Sequence, residues 1–259
     1  MAKLQNDHLS IPARKLVPLL RDLTLTDETT RKARDQLLAW NYRLDADSVS
    51  AGIYETWQRR LAVNLQALMV PAEALPFIGQ PSMVRIVEWL TSPGARFGSD
   101  PAKGRDELAA RSFAEAVKEL QNKLGSDMSK WNWGQEKYHH LIIRHPLTND
   151  AGADAKQKLE IGPFARGGDA YTISATGNAD LQTAGASFKI IVDTKDWDDS
   201  LGASNPGQSG DPASPHYRDL AEPWSRDEYH PLAYSRARVE SVTESVLTLR
   251  PAPADKPAR

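Results

Sequence analysis

The chain has 259 residues, a formal net charge of -2, 40% hydrophobic residues and 25% charged ones, which is ordinary for one large soluble domain or two small ones. So weak a charge provides no field for a nucleic acid or an anionic membrane surface. The absence of cysteine excludes a disulfide framework, a thiolate metal site and a cysteine nucleophile, and no apolar run reaches membrane-spanning length.

Ser10, Ile11 and Pro12 open the first predicted helix, because a serine can accept a first-turn N–H and proline is tolerated there. Leu16, Leu19, Leu20 and Leu23 follow on one face. Residues 30–40 read as a second helix. Asp47 and Ser48 precede the longest, in which Val49, Ile53, Trp57 and Leu61 recur at four-residue spacing. Leu65 and Leu68 extend that pattern until Pro71 forbids an interior hydrogen bond. A short helix over 82–90 is stopped by Pro93-Gly94, and an amphipathic one over 105–124 is ended by Gly125.

After Gly125 a polar joint at 126–130 leads into a region of β pattern and long loops. Strands are predicted over 138–144, 170–175, 187–192 and 245–249, with a short helix over 239–244 before the last. The division is thus 1–125 helical, 126–251 β-rich, and 252–259 a proline-rich tail predicted to be disordered. Helices first and strands later make an α+β chain.

The most unusual stretch is 193–217, which leaves the strand at 187–192 and is rich in Gly, Pro, Ser and Asn, residues suited to turns. So long a polar segment in a compact domain is either functional or disordered. Trp197, His216, Tyr217 and Trp224 flank it with large groups that need packing partners, so order is expected. Asp193, Trp197 and the turn at 207–210 should then form one unit packed on the strand ending near Val192.

Ser209 lies in Gly207-Gln208-Ser209-Gly210-Asp211, which misses the last glycine of a nucleophile elbow and lacks its strand and helix flanks. Ser209, Gln208 and His216 are therefore expected to hydrogen-bond the loop backbone. His139 and His140 would point to opposite faces of a strand and cannot share one metal ion from there. His145, restricted by Pro146, should terminate the strand. Asp193, Asp196, Asp198 and Asp199 lack the calcium-loop order of an EF-hand and read as a solvated or backbone-capping cluster.

The stretch Gly207-Gln208-Ser209-Gly210, then Ser214-Pro215-His216-Tyr217, Trp224, Tyr229 and Pro231-Leu232, resembles the C-terminal end of the penicillin acylase (penicillin amidase) family. Trp133-Gly134, His139-His140, His145-Pro146-Leu147, Gly168-Asp169, Tyr171-Thr172 and Ala186-Ser187-Phe188 fit the same family in the same order. The resemblance is specific from about Trp131 to Pro251, and weaker around Trp40 and 44–48.

It implies an N-terminal-nucleophile hydrolase of linear amides, with an αββα sandwich of which this chain supplies part. The family's nucleophile is the first residue of a chain released by self-cleavage, and its α-amino group acts as base. That residue, the oxyanion-hole donors and the ligands of a structural calcium fall upstream of the matched segment. The chain is accordingly expected to hold no catalytic residue and no cofactor of its own. Gly207, Gln208, Ser209, Gly210, His216 and Tyr217 become a structural motif loop, with His145 and Asp169 as further structural residues.

Implied partners are the rest of the catalytic chain, the alpha chain and a small acyl-amide substrate, with no nucleic acid and no membrane span. The location is periplasmic as part of a full precursor. The first residues carry no secretory apolar core, so expression alone implies the cytoplasm. The alternative is a non-catalytic binding or interaction module working through the loop at 202–217.

Overall fold

The computed structural model describes residues 1–177, 180–183 and 185–251; the predicted tail at 252–259 lies outside them. In chain order the helices are α1 (Ala2–Gln5), α2 (Ile11–Leu16), α3 (Glu28–Leu38), α4 (Val49–Met69), α5 (Met83–Thr91), α6 (Pro101–Leu124), α7 (Ala153–Leu159), α8 (Ala221–Ser225) and α9 (Arg236–Ser241). The strands are β1 (His140–Ile143), β2 (Ile161–Ala165), β3 (Leu181–Gln182), β4 (Lys189–Ile191), β5 (Leu201–Ala203) and β6 (His230–Pro231).

The helices begin where the sequence supplies side-chain acceptors. Ser10, Asp27, Ser48, Ser82 and Asp100 each accept an N–H three residues on, which satisfies a donor the helix cannot pair internally. Gly125 closes α6 at a φ of 89°, where a side chain would be strained.

α4 is the axis of the helical half, with α6 packed along it and α3 and α5 against it. All residues from Ser50 to Gln58 are buried, so the first half of α4 is enclosed on every side. Trp57 meets the edge of Phe113 on α6 at 5.7 Å between ring centroids. On another side α4 touches the segment after α6. A Cβ on Gly52 would lie 2.0 Å from the Trp131 carbonyl oxygen, so only glycine admits that backbone so close.

Two small sheets follow, with strand orders β2-β1-β3 and β4-β5-β6. β1 pairs antiparallel with β2, placing Leu141 opposite Phe164, and parallel with β3. β5 pairs antiparallel with β4 and β6, with Ile190 opposite Gly202. The architecture is α+β, as the sequence implies.

Several boundaries differ from expectation. The strand over 138–144 contracts to β1 and that over 187–192 to β4. Residues 170–175 form a turn instead of a strand: Asp169 Oδ1 accepts the Tyr171 N–H at 2.8 Å, and Thr172 Oγ1 accepts the Asp169 N–H at 3.0 Å. Those local bonds satisfy backbone that a strand would have paired elsewhere. Residues 245–249 form no strand among the described residues, and Val246, Leu247 and Leu249 stand exposed. The helix expected over 239–244 starts earlier, at Arg236, because Ser235 caps it. β5 lies inside the stretch read as one loop, and β2 and α7 carried no clear periodicity.

Candidate functional site

The stretch after β4 divides into two units with different anchors. In the first, Asp193 Oδ1 accepts the N–H groups of Lys195 and Asp196 at 2.8 and 3.2 Å. Asp198 Oδ1 accepts those of Tyr234 and Ser235, and a hydrogen bond from the Ser235 side chain, followed by these N–H groups, holds its carboxyl below the usual range. Trp197 is 51% exposed and lies against Tyr234, 4.8 Å between ring centroids.

In the second unit, Ser214 opens a short turn at Pro215–Tyr217 by accepting the His216 N–H. Tyr217 is buried, and its hydroxyl donates to the Leu159 carbonyl oxygen at 2.8 Å. The turn at 207–210 thus packs on the backbone of His216 and Tyr217, in place of the expected seat on the strand ending near Val192. Gly207 permits this, since a Cβ there would lie 2.3 Å from the His216 carbonyl oxygen.

Ser209 and His216 meet only through backbone, Ser209 N–H donating to His216 O at 3.0 Å. The Ser209 hydroxyl oxygen accepts the Asp211 N–H at 3.1 Å. The His216 ring sits between two carboxylates, Nδ1 at 2.9 Å from Asp219 and Nε2 at 3.3 Å from Glu244. Those hydrogen bonds, Asp219 first, raise the imidazole pKa. The ring is occupied at both nitrogens and is in no position to take a proton from Ser209. Gln208 and Gly210 are exposed on the same turn. His145 Nδ1 accepts the Leu147 N–H at 3.2 Å, capping the turn that follows β1.

His139 and His140 diverge. The His139 ring stacks on Trp133, 3.6 Å between centroids, with Nε2 3.0 Å from the Gln182 amide nitrogen, while His140 pairs its N–H with Asp180 O. Among the described residues no three histidine or acidic side chains are gathered as metal ligands. Asp193, Asp196 and Asp198 each use one carboxylate oxygen to accept backbone N–H groups.

The densest chemistry lies around a turn that periodicity could not find. Gly168 adopts a φ of 82° and passes its carbonyl to the Trp133 indole N–H at 2.8 Å. This places the buried Asp169 against Glu55, which α4 carries fully enclosed. Glu55 Oε2 accepts from Gln58 at 3.2 Å, whereas Glu55 Oε1 and Asp169 Oδ2 have no protein donor. Burial, and then the Asp169 charge, push the Glu55 carboxyl well up; burial raises Asp169 too. A proton shared between the two carboxyls would supply the donor that each lacks.

Beside this pair, Arg166 is buried with its guanidinium 4.2 Å from the Trp224 ring centre. It donates to Ser174 Oγ at 3.0 Å and to Asp227 Oδ1 at 3.4 Å. Lys189 of β4 also reaches Asp227 Oδ1, at 2.8 Å, and Asn6 Oδ1. His8 lies 3.1 Å from Asp45 and 3.6 Å from Asp227. The arrangement sets buried cations against the Asp227 carboxylate and ties five distant segments together. Of these residues the sequence singled out Asp169 and Trp224. Glu55 inside an apolar helical stripe was the available signal for the rest.

A profile described as "Penicillin amidase" matches residues 1–241. Penicillin acylase 2 proenzyme of Pseudomonas sp. (strain SE83) is 32% identical over 83% of this chain and 28% of its own length. Acyl-homoserine lactone acylase QuiP of Pseudomonas aeruginosa is 28% identical over 97% of this chain and 33% of its own length. A thermostable penicillin G acylase from Alcaligenes faecalis superposes with a TM-score of 0.53 and 19% identity, covering 95% of this chain and 48% of that one. This chain thus spans about a third or less of the curated relatives' length. On these matches, the chain belongs to the penicillin amidase family.

Proposed function

We propose that this chain supplies the C-terminal part of the catalytic chain of an enzyme that hydrolyses linear amides into an acyl group and an amine. The observation that carries this reading is a family match over nearly the whole chain that covers only 28% of a relative such as the Pseudomonas penicillin acylase 2 proenzyme. Acyl transfer needs an activated nucleophile and donors aimed at the developing oxyanion. Both would come from the remainder of the catalytic chain. The side chain of that chain's N-terminal residue would attack the amide carbonyl as its α-amino group takes the proton. The proton then passes to the amide nitrogen as the C–N bond breaks and the amine leaves, and water cleaves the acyl-enzyme bond to release the acid. Residues 207–217 and the buried cluster would hold the surrounding scaffold in place. A structural calcium, the alpha chain and a periplasmic location belong to the same reading, all outside this chain's own residues.

The test is co-expression of residues 1–259 with the segment encoded immediately upstream. Turnover of a chromogenic phenylacetyl or long-chain acyl amide is expected only when both are present. The chain alone should be inactive. A serine-blocked turnover by the isolated, monodisperse chain would return the nucleophile to Ser209. A stable, monomeric, inactive chain that gains nothing from the upstream segment would favour the binding module instead.

A further inference from the structure

Past α9 the chain is held by little. Asp198 fixes the start of that helix through the Tyr234 and Ser235 N–H groups, and Thr243 Oγ1 turns back to the Val239 carbonyl oxygen at 2.7 Å. Among the described residues, 244–251 make one hydrogen bond, that of Glu244 to the His216 ring. The apolar side chains beyond it, Val246, Leu247 and Leu249, are 81%, 84% and 85% exposed. One contact therefore decides where the end of the chain lies.

That contact suits one charge state of His216. Nδ1 faces Asp219 Oδ2 at 2.9 Å and Nε2 faces Glu244 Oε2 at 3.3 Å. A carboxylate accepts and cannot donate, and a neutral imidazole carries a single N–H, so imidazolium alone can donate to both. In the neutral ring one nitrogen turns a lone pair towards a carboxylate. Asp219 is the closer acceptor and lies three residues away on the same turn, so the N–H stays there and the bond to Glu244 fails. Other charged groups of these segments are engaged elsewhere. Arg218 donates to the Lys158 carbonyl oxygen at 2.7 Å and covers the Tyr217 ring, and Asp211 accepts the Ala213 N–H. On α9, Glu240 pairs with Arg236, and Arg238 acts on Asp198.

We infer that His216 is a pH-operated leash: as imidazolium it holds residues 244–251 to the turn at Pro215–Tyr217, and as neutral imidazole it releases them. The hydrogen bonds from Asp219, first, and Glu244 favour the charged ring and raise its pKa from the ordinary 6.5. The bond to Glu244 is thus complete below 6.5 and is lost as pH rises through the higher folded value. The ring is 48% exposed and Glu244 79% exposed, so the leash is weak and reversible. A change of about two- to fivefold in the ratio of held to free tail is expected of such a surface pair.

The lack of cysteine lets a single nitroxide be attached at Leu247→Cys, in the 259-residue chain at concentrations where it is monomeric. Arg236→Cys, at a side chain 91% exposed and ahead of the leash, is the control. Between about pH 5.5 and 8.5, where histidine changes charge, the ratio of slow to fast label motion at 247 should fall about two- to fivefold. Its midpoint should lie above 6.5, and motion at 236 should stay constant. Glu244→Gln offers an amide N–H to the neutral ring, so the tail should stay held with a flat profile. His216→Asn should give a flat profile with the tail free. A flat wild-type profile, or a midpoint at or below 6.5, overturns the inference. So does a pH dependence that survives in either variant, which would assign it to another group. An equal change at 236 would mean that all of α9 loosens, and would overturn it too.

Discussion

At the scale of single residues, the Glu55–Asp169 pair makes the sharpest prediction. The folded state holds the Glu55 proton more tightly than the unfolded chain does, because burial and the Asp169 charge oppose ionisation. The pair's contribution is complete below the ordinary glutamate value of 4.5 and is lost as pH rises through the folded value. Glu55→Gln keeps the shape and lets an amide N–H face Asp169. Its thermal midpoint should therefore depend less on pH above that value than the wild type's. Glu55→Ala leaves Asp169 Oδ2 without that partner and is expected to cost about 1–3 kcal/mol. Parallel pH profiles for wild type and Glu55→Gln would remove the shared proton. Ser209→Ala is expected to leave reconstituted turnover largely intact and to cost about 1 kcal/mol through the lost loop bond. Loss of turnover with folding retained would make Ser209 catalytic.

At the scale of elements, α4 depends on the close approach of residues 131–133. Gly52→Ala forces a Cβ onto the Trp131 carbonyl oxygen, and backbone displacement there should destabilise by about 1–3 kcal/mol in denaturant unfolding. An unchanged midpoint would mean that the two segments part without loss. The same helix shows why part of the fold was legible. Ser48, the apolar spacing of 49–65 and Pro71 are local signals that physics reads within one turn or two, as are Ser82, Gly125 and Ser10. Strands such as β5 and β3 are two or three residues long and exist because a partner lies beside them, so nothing local announces them. Residues 245–249 show the converse, an apolar run with no strand partner among the described residues. Asp169 drew attention through the family motif, whereas Glu55, Arg166 and Asp227 become a group only when α4, β2 and the turn after α8 converge.

At the scale of the whole molecule, the chain's first residues clasp its last ordered strands. Gln5 reaches Ile190 O and the Tyr229 hydroxyl, Asn6 reaches Lys189 and the Asp227 carbonyl, and Asp7 O accepts the Ser174 N–H. These bonds span up to 224 residues of sequence, whereas α4 and α6 are held by a continuous apolar core. Stability is therefore unevenly distributed, and the two parts should open separately. Removing residues 1–7 strips Lys189 of one of its two partners and frees the β4 edge. Hydrogen exchange at β4, β5 and β6 should quicken strongly in the shortened chain, while amides of α4 and α6 keep most of their protection. Uniformly faster exchange across α4, α6 and the sheet would show that the clasp supports the entire fold. Unchanged exchange in β4 would show that the sheet stands without it.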